Sequence, residues 1–82
     1  MPRATRPLKY QPEQRVSINP RVCGGRPCVR DTRVRVIDIL ELLASGMTAR
    51  QIVKQLPYLQ LEDIPACLVY AARSMDYPRL VA

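Results

Sequence analysis

The segment from Arg21 to Val36, with the sequence RVCGGRPCVRDTRVRV, constrains the fold of this chain most. It carries five arginines, a Gly-Gly pair, and an alternation of Val34 and Val36 with Arg33 and Arg35. Alternation of apolar and polar residues is typical of a strand with one buried face. The valines would face a core, and the guanidinium groups would face water or phosphate. This pattern favours a basic ribbon in a nucleic-acid-binding module over an enzyme.

Residues 29–36 predict a β-hairpin that turns near Asp31-Thr32. A two-residue turn would place Arg30 opposite Arg33 on one face of the ribbon. Directly opposed like charges destabilise a sheet, so either an anion or an acidic neighbour is expected between them. A β-branched threonine disfavours the positive φ of such a turn, and a four-residue turn is an equal alternative.

The composition excludes several classes of protein. The chain has 82 residues, enough for one domain with a small core, and its three cysteines give no even disulfide framework. The chain contains no histidine, so a zinc site and acid–base catalysis both lack their usual residue. We expect no enzymatic activity, no metal and no cofactor. With no signal peptide and no apolar run of about 20 residues, the chain is expected to be cytoplasmic with reduced thiols.

The positive charge lies in the N-terminal part of the chain. Residues 1–35 hold nine basic and two acidic groups, whereas residues 36–82 hold four and five, which sums to the net charge of +6. An anionic partner should therefore contact the N-terminal half.

The chain divides into three segments. Residues 1–15 contain three prolines and four basic groups and predict a disordered basic arm. Residues 16–76 predict a hairpin and helical domain, which begins with a short strand over Val16–Ile18 and a turn at Asn19-Pro20. Residues 77–82 form a C-terminal tail.

Apolar periodicity and capping residues predict three helices after the ribbon. The first runs from about Val36 to Ser45 and ends with Gly46 at the C′ position. The second begins after Thr48, which forms a capping box with Gln51, and Pro57 stops it. These tight connections match the helix-turn-helix plan, with the second and third helices forming the motif.

The third helix is predicted to begin near residues 61–63 or one or two residues later, because Pro65 strains the turn that precedes it. The adjacent carboxylates of Glu62 and Asp63 suit the positive end of its dipole. Few groups in its first turn could hydrogen-bond to bases, so direct base reading by this helix is weakly supported. Its apolar stripe is predicted to be Leu61, Ile64, Leu68, Ala71 or Ala72, and Met75.

Candidate nucleic-acid contacts follow from the distribution of the basic residues. Arg50 and Lys54 lie one turn apart on the polar face of the second helix and fit contacts to the phosphate backbone. For Arg33, a phosphate contact and an ion pair with Asp38, Glu62 or Asp63 are equal alternatives. The candidate nucleic-acid-binding residues are Arg26, Arg30, Arg35, Arg50 and Lys54.

The order of these signals resembles the bacterial family catalogued as domain of unknown function 433. The similarity covers about residues 16–73. The resemblance implies a winged or homeodomain-like three-helix helix-turn-helix, mainly α with a short N-terminal β-hairpin. It also implies an antitoxin role, because many members look like partners of PIN-like ribonuclease toxins. The residues that carry it are Asn19-Pro20, Gly24-Gly25-Arg26-Pro27, Thr32-Arg33-Val34, Ser45-Gly46, Pro57-Tyr58-Leu59, Glu62-Asp63-Ile64 and Tyr70-Ala71-Ala72.

Two functional hypotheses follow. The first is an antitoxin that neutralises a PIN-like ribonuclease and binds operator DNA as a homodimer, with dimer contacts through residues 16–18 and 29–36. The second is a stand-alone DNA-binding regulator without a toxin; a module that binds only protein is a third alternative. Toxin binding would use a segment that folds on contact, either the arm or the tail. The candidate residues in these segments are Arg3, Arg6, Lys9, Tyr10, Tyr77, Arg79 and Leu80.

Overall fold

The computed structural model describes residues 12–76 as a mainly helical domain with a small antiparallel sheet near its N-terminal end. This confirms the predicted fold class. No helix in this part of the chain is long and apolar enough to cross a membrane. The elements are α1 (Pro12–Arg15), β1 (Val16–Ser17), β2 (Cys28–Val29), α2 (Val36–Ala44), α3 (Ala49–Gln55) and α4 (Asp63–Asp76).

The first element corrects the predicted boundary of the arm. Residues 12–15, assigned above to a disordered segment, form the helical turn α1. Arg15 at its end is held by a hydrogen bond and ion pair to Asp63 of α4, which gives the turn a tertiary partner that composition alone does not reveal. The remaining part of the predicted arm, residues 1–11, lies outside the described residues.

The sheet has β2 at its centre. β1 pairs with β2 in an antiparallel register that places Val16 opposite Val29. On the other side, Cys28 forms a bridge with Arg35, and the Val29 N–H donates to the Val34 carbonyl at 2.9 Å. Both edges of β2 are therefore covered within one chain.

A four-residue loop over residues 30–33 joins β2 to the chain that returns beside it. The Thr32 N–H and Thr32 Oγ1 both donate to the Val29 carbonyl, at 2.9 and 2.7 Å. Arg30 has a φ of 44°, a region that non-glycine residues rarely adopt. The longer of the two turns considered from the sequence is the one that forms, and it lifts Arg30 out of the strand.

The Gly-Gly pair reverses the chain between β1 and β2. Gly24 and Gly25 have φ values of 66° and 82°, a left-handed conformation that glycine adopts without penalty. The Gly25 N–H donates to the Val22 carbonyl at 3.0 Å. The predicted turn at Asn19-Pro20 precedes it, closed by the Val22 N–H on the Asn19 carbonyl at 2.9 Å.

The residues predicted to end α2 and to begin α3 do so in the structure. Ser45 is the C-cap of α2, and Gly46 follows with a φ of 105°. Thr48 Oγ1 accepts from the Gln51 N–H at 3.1 Å, while Gln51 Oε1 accepts from the Thr48 N–H at 2.8 Å. This reciprocal pair is the capping box of α3.

The core lies where all three long helices meet β2. Cys67 is fully buried in it, as expected for a cysteine that packs as a small apolar residue. The buried cluster consists of Val29, Val36, Ile39, Ile52, Leu59, Ile64 and Cys67.

The predicted apolar stripe of α4 is only partly correct: Ile64 is buried as expected, but the other large members of the stripe are not. Leu68 is 49% exposed and Met75 is 81% exposed, whereas Ala66 and Cys67 are fully buried. Asp63 is also fully buried, because two arginines bind it from the sheet side of the domain. These ion pairs fix the rotation of α4 and turn a row of large apolar side chains toward solvent.

Candidate binding surfaces

Asp63 lies at the centre of the most extensive polar contact among the described residues. Arg30 binds its carboxylate with two groups: Nε lies 3.1 Å from Oδ1, and Nη2 lies 2.8 Å from Oδ2. Arg15 Nη1 lies 2.9 Å from Oδ1, and the Gln60 N–H donates to Oδ2 at 2.7 Å. A carboxylate accepting this many charge-assisted bonds joins α1, the loop after β2 and the start of α4.

The protonation of Asp63 follows from this geometry. Burial by itself would raise the pKa of Asp63, but hydrogen bonds from Arg30, the Gln60 backbone and Arg15 outweigh it and hold the pKa below its usual value. The side chain is therefore an anion at neutral pH. Its partners Arg15 and Arg30 keep 27% and 29% of their side chains exposed.

Arg30 is consequently placed in a different role from the one considered above. Its guanidinium binds Asp63, and its Nη2 also donates to the Tyr58 carbonyl at 3.0 Å. Because the four-residue loop forms, Arg30 and Arg33 are not an opposed pair, and Asp63 binds Arg30 together with Arg15 instead. Contact between Arg30 and nucleic acid stays a prediction, and this geometry disfavours it.

Arg35 is similarly held at the beginning of α2. Its Nη2 lies 2.7 Å from Asp38 Oδ1, and its backbone N–H donates to Asp38 Oδ2 at 3.0 Å. The hydrogen bonds from Arg35 lower the pKa of Asp38, so this pair is ionised at neutral pH. The sequence leaves Asp38 open as an ion-pair partner of Arg33. In the structure Asp38 binds Arg35, and Arg33 lies exposed in the loop over residues 30–33.

The remaining predicted nucleic-acid contacts point into solvent. Arg26 lies in the loop before β2, and Arg50 and Lys54 lie one turn apart on α3; all three are exposed. Within residues 12–76, none of these three forms an ion pair with a carboxylate. They are the members of the predicted set that remain available to a phosphate backbone.

Exposed apolar side chains form the surface that sequence reasoning missed. Leu61 is 42% exposed, and Leu68 and Met75 on α4 are exposed further. The helical spacing of these residues predicts that they lie in the core, because it fits an amphipathic helix. The burial of Asp63 indicates which side of α4 faces the core. That burial depends on its two arginine partners, which the sequence does not reveal.

An apolar groove runs between α2 and α4. It has a volume of about 430 Å³, and Arg26 is the only charged residue that lines it among the described residues. The apolar lining includes Ile37, Leu40, Tyr70 and Ala71. The groove places one of the exposed arginines beside apolar surface.

Two of the three thiols, Cys28 and Cys67, are buried. Burial, followed by the nearby charge of Asp63, raises the pKa of Cys67 to about 12. Burial also raises the pKa of Cys28. In the part of the chain that the structure describes, no three Cys, Asp or Glu side chains come together to hold a metal ion. The candidate toxin-binding residues in segments 1–11 and 77–82 lie outside that part.

Comparison with known proteins places this domain in a family. The chain belongs to the family described as proteins of unknown function, DUF433, whose sequence profile matches residues 16–71. This confirms the resemblance noted from the sequence. A crystal structure of a DUF433 member from Anabaena variabilis is similar, with a TM-score of 0.70 and 28% identity; the match covers 74% of this chain and 60% of that one.

A sequence relative is similar to about two thirds of the chain. The uncharacterised protein y4eO of Sinorhizobium fredii is 36% identical over 56 residues, which are 68% of this chain and 25% of that protein. The chain thus spans about a quarter of the length of this relative.

Proposed function

We propose that this protein is the antitoxin of a toxin–antitoxin pair, which neutralises a PIN-like ribonuclease and binds its operator DNA as a dimer. The observation that carries the proposal is the chemistry of α4. In the proposed helix-turn-helix this helix would take the DNA-reading position, but it presents Leu68 and Met75 to solvent. An apolar helix face recognises protein better than it recognises base edges.

Exposed cations support the nucleic-acid part of the proposal. Arg26, Arg50 and Lys54 lie on the surface and form no ion pair within residues 12–76. A surface that combines an apolar helix face, suited to protein contact, with such cations fits a dimer that binds DNA. Operator binding is one task of an antitoxin, and toxin binding is the other.

Toxin binding is assigned to the segments that flank the described domain. The arm contributes Arg3, Arg6, Lys9 and Tyr10, whose charges suit the acidic, metal-binding cleft of a PIN-like ribonuclease. The tail contributes Tyr77, Arg79 and Leu80, which add apolar anchors.

Co-expression with the product of the adjacent gene tests this proposal. The tagged full-length chain should retain that product through purification. Two truncated chains, lacking residues 1–11 or 77–82, serve as matched variants because both leave residues 12–76 intact. Loss of retention in one of them, with unchanged circular dichroism, would identify the toxin-binding segment. Absence of any association with the full chain would contradict the antitoxin role.

A stand-alone DNA-binding regulator is the second candidate, favoured by the spacing of Arg50 and Lys54 on the exposed face of α3. It predicts affinity for upstream duplex DNA without any protein partner. Replacing both residues by alanine should weaken binding to all sequences and reduce the dependence on salt by about two counterions. The Gln55→Ala variant changes the same helix without removing charge and should bind normally. An unchanged salt dependence in the double variant would contradict this use of α3.

A further inference from the structure

The exposed apolar residues of α4, together with Leu61 in the turn just before it, have the spacing of a helix-pairing surface. Positions 61, 65, 68, 72 and 75 are separated alternately by four and three residues, and all five are apolar. Leu61, Leu68 and Met75 are 42%, 49% and 81% exposed, and the opposite side of the helix packs in the core. Alternating steps of four and three are the repeat with which two helices pack along each other. These five residues, Leu61, Pro65, Leu68, Ala72 and Met75, are here named the apolar seam.

We propose that the apolar seam binds the same seam of a second copy of this chain, with the two α4 helices antiparallel about a two-fold axis at Leu68. In this arrangement Leu68 meets its own copy, and Leu61 meets Met75 of the other chain. Pro65 and Ala72 then face each other between these layers. Large side chains therefore meet large ones and smaller ones meet smaller ones, as a self-complementary interface requires.

A hollow at the N-terminal end of the seam fits this orientation. Leu61 and Pro65 line it together with Arg50 and Glu62, and its volume is about 450 Å³. Antiparallel pairing brings Met75 of the second copy to this hollow. It also places the negative end of the second helix dipole near Arg50. The hollow therefore accommodates the Met75 side chain of the second copy, and Arg50 complements the end of its helix.

The size of the seam sets the expected strength of the dimer. A contact through five side chains, of which Pro65 and Ala72 are small, would bury less than the roughly 800 Å² per partner of standard stable complexes. We therefore expect a reversible dimer at micromolar concentration. The dimer contact through residues 16–18 and 29–36 is less favoured, because both edges of β2 are already paired within the chain. This pairing rests on the dimer that the proposed function includes, but testing it requires neither toxin nor DNA.

Sedimentation of matched variants tests the interface. Leu68→Glu puts a charge on the two-fold axis without touching the core face of α4, so it should remain folded and sediment as a monomer throughout the micromolar range. Ile18→Glu makes the same chemical change at a residue that is 60% exposed outside the seam, and it should dimerise like the unaltered chain. A monomeric unaltered chain would overturn the proposal. So would loss of the dimer in Ile18→Glu but not in Leu68→Glu, which would place the contact on the strands.

Disulfide trapping tests the orientation. Leu68→Cys should cross-link two chains on oxidation, because the two introduced thiols meet at the axis. Met75→Cys alone should not, because the two positions would lie about 21 Å apart along antiparallel helices; adding Leu61→Cys should restore cross-linking. The unaltered chain, with its half-exposed Cys23, sets the background. Equal cross-linking of Met75→Cys and Leu68→Cys would indicate parallel helices and overturn the antiparallel arrangement.

Discussion

At Asp63 one buried carboxylate receives hydrogen bonds from three separate parts of the chain. Arg15 comes from α1, Arg30 from the loop after β2, and the Gln60 N–H from the turn before α4. Burying a charge is costly, and removing one member of such a group leaves the others without compensation. Asp63 is therefore the residue on which the arrangement of α1, the loop and α4 depends most.

The Asp63→Asn variant should be strongly destabilised. The amide keeps nearly the same size, but it offers one acceptor oxygen and no charge to two arginines. The expected loss is about 3 kcal/mol in the free energy of unfolding, measured by urea denaturation. Asp31→Asn, at an exposed position in the loop over residues 30–33, is the matched control and should change stability by less than about 0.5 kcal/mol. Equal stability of the two variants would show that the Asp63 contacts contribute little.

The pH dependence of stability follows from the same carboxylates. The pKa values of Asp63 and Asp38 are lowered in the folded chain, so the unfolded chain takes up protons first as the pH falls. Their stabilising effect is complete above the unfolded value of about 4 and is lost as the pH drops through the lower folded values. The urea midpoint should therefore fall below about pH 4. The Asp63→Asn variant should show a shallower decline; an equal decline would exclude Asp63 as its source.

At the scale of single elements, the capping box of α3 is the clearest local determinant. Thr48 and Gln51 exchange two hydrogen bonds at the exposed start of a seven-residue helix. Thr48→Ala removes the side-chain acceptor and should cost about 1 kcal/mol in the free energy of unfolding. Thr48→Ser retains the hydroxyl and should lose far less. Similar losses in both variants would assign the effect to the threonine methyl group.

The elements that could be predicted from the sequence are those fixed by neighbouring residues. The ends of α2 and α3 follow from Gly46 and from the Thr48–Gln51 pair, which act within one helical turn. The rotation of α4 depends instead on Asp63 meeting Arg15, 48 positions earlier in the chain. No local pattern contains that contact, so helical periodicity placed Leu68 in the core. The candidate apolar surface was missed for the same reason.

At the scale of the whole molecule, the net charge of +6 has two uses. Arg15, Arg30 and Arg35 are held by carboxylates of the same chain. Part of the basic excess in the N-terminal half therefore stabilises the fold. Exposed cations such as Arg26, Arg50 and Lys54 remain for partners, beside an apolar face on α4. This division is the physical basis of the proposed binding of DNA by a dimer.

The most direct test of the antitoxin role is a titration of ribonuclease activity. The purified product of the adjacent gene would be assayed on RNA while increasing amounts of the full-length chain are added. The proposed function predicts that RNA cleavage falls linearly and stops at a fixed molar ratio, because each bound chain blocks a catalytic cleft. Undiminished cleavage in the presence of excess folded protein would contradict it.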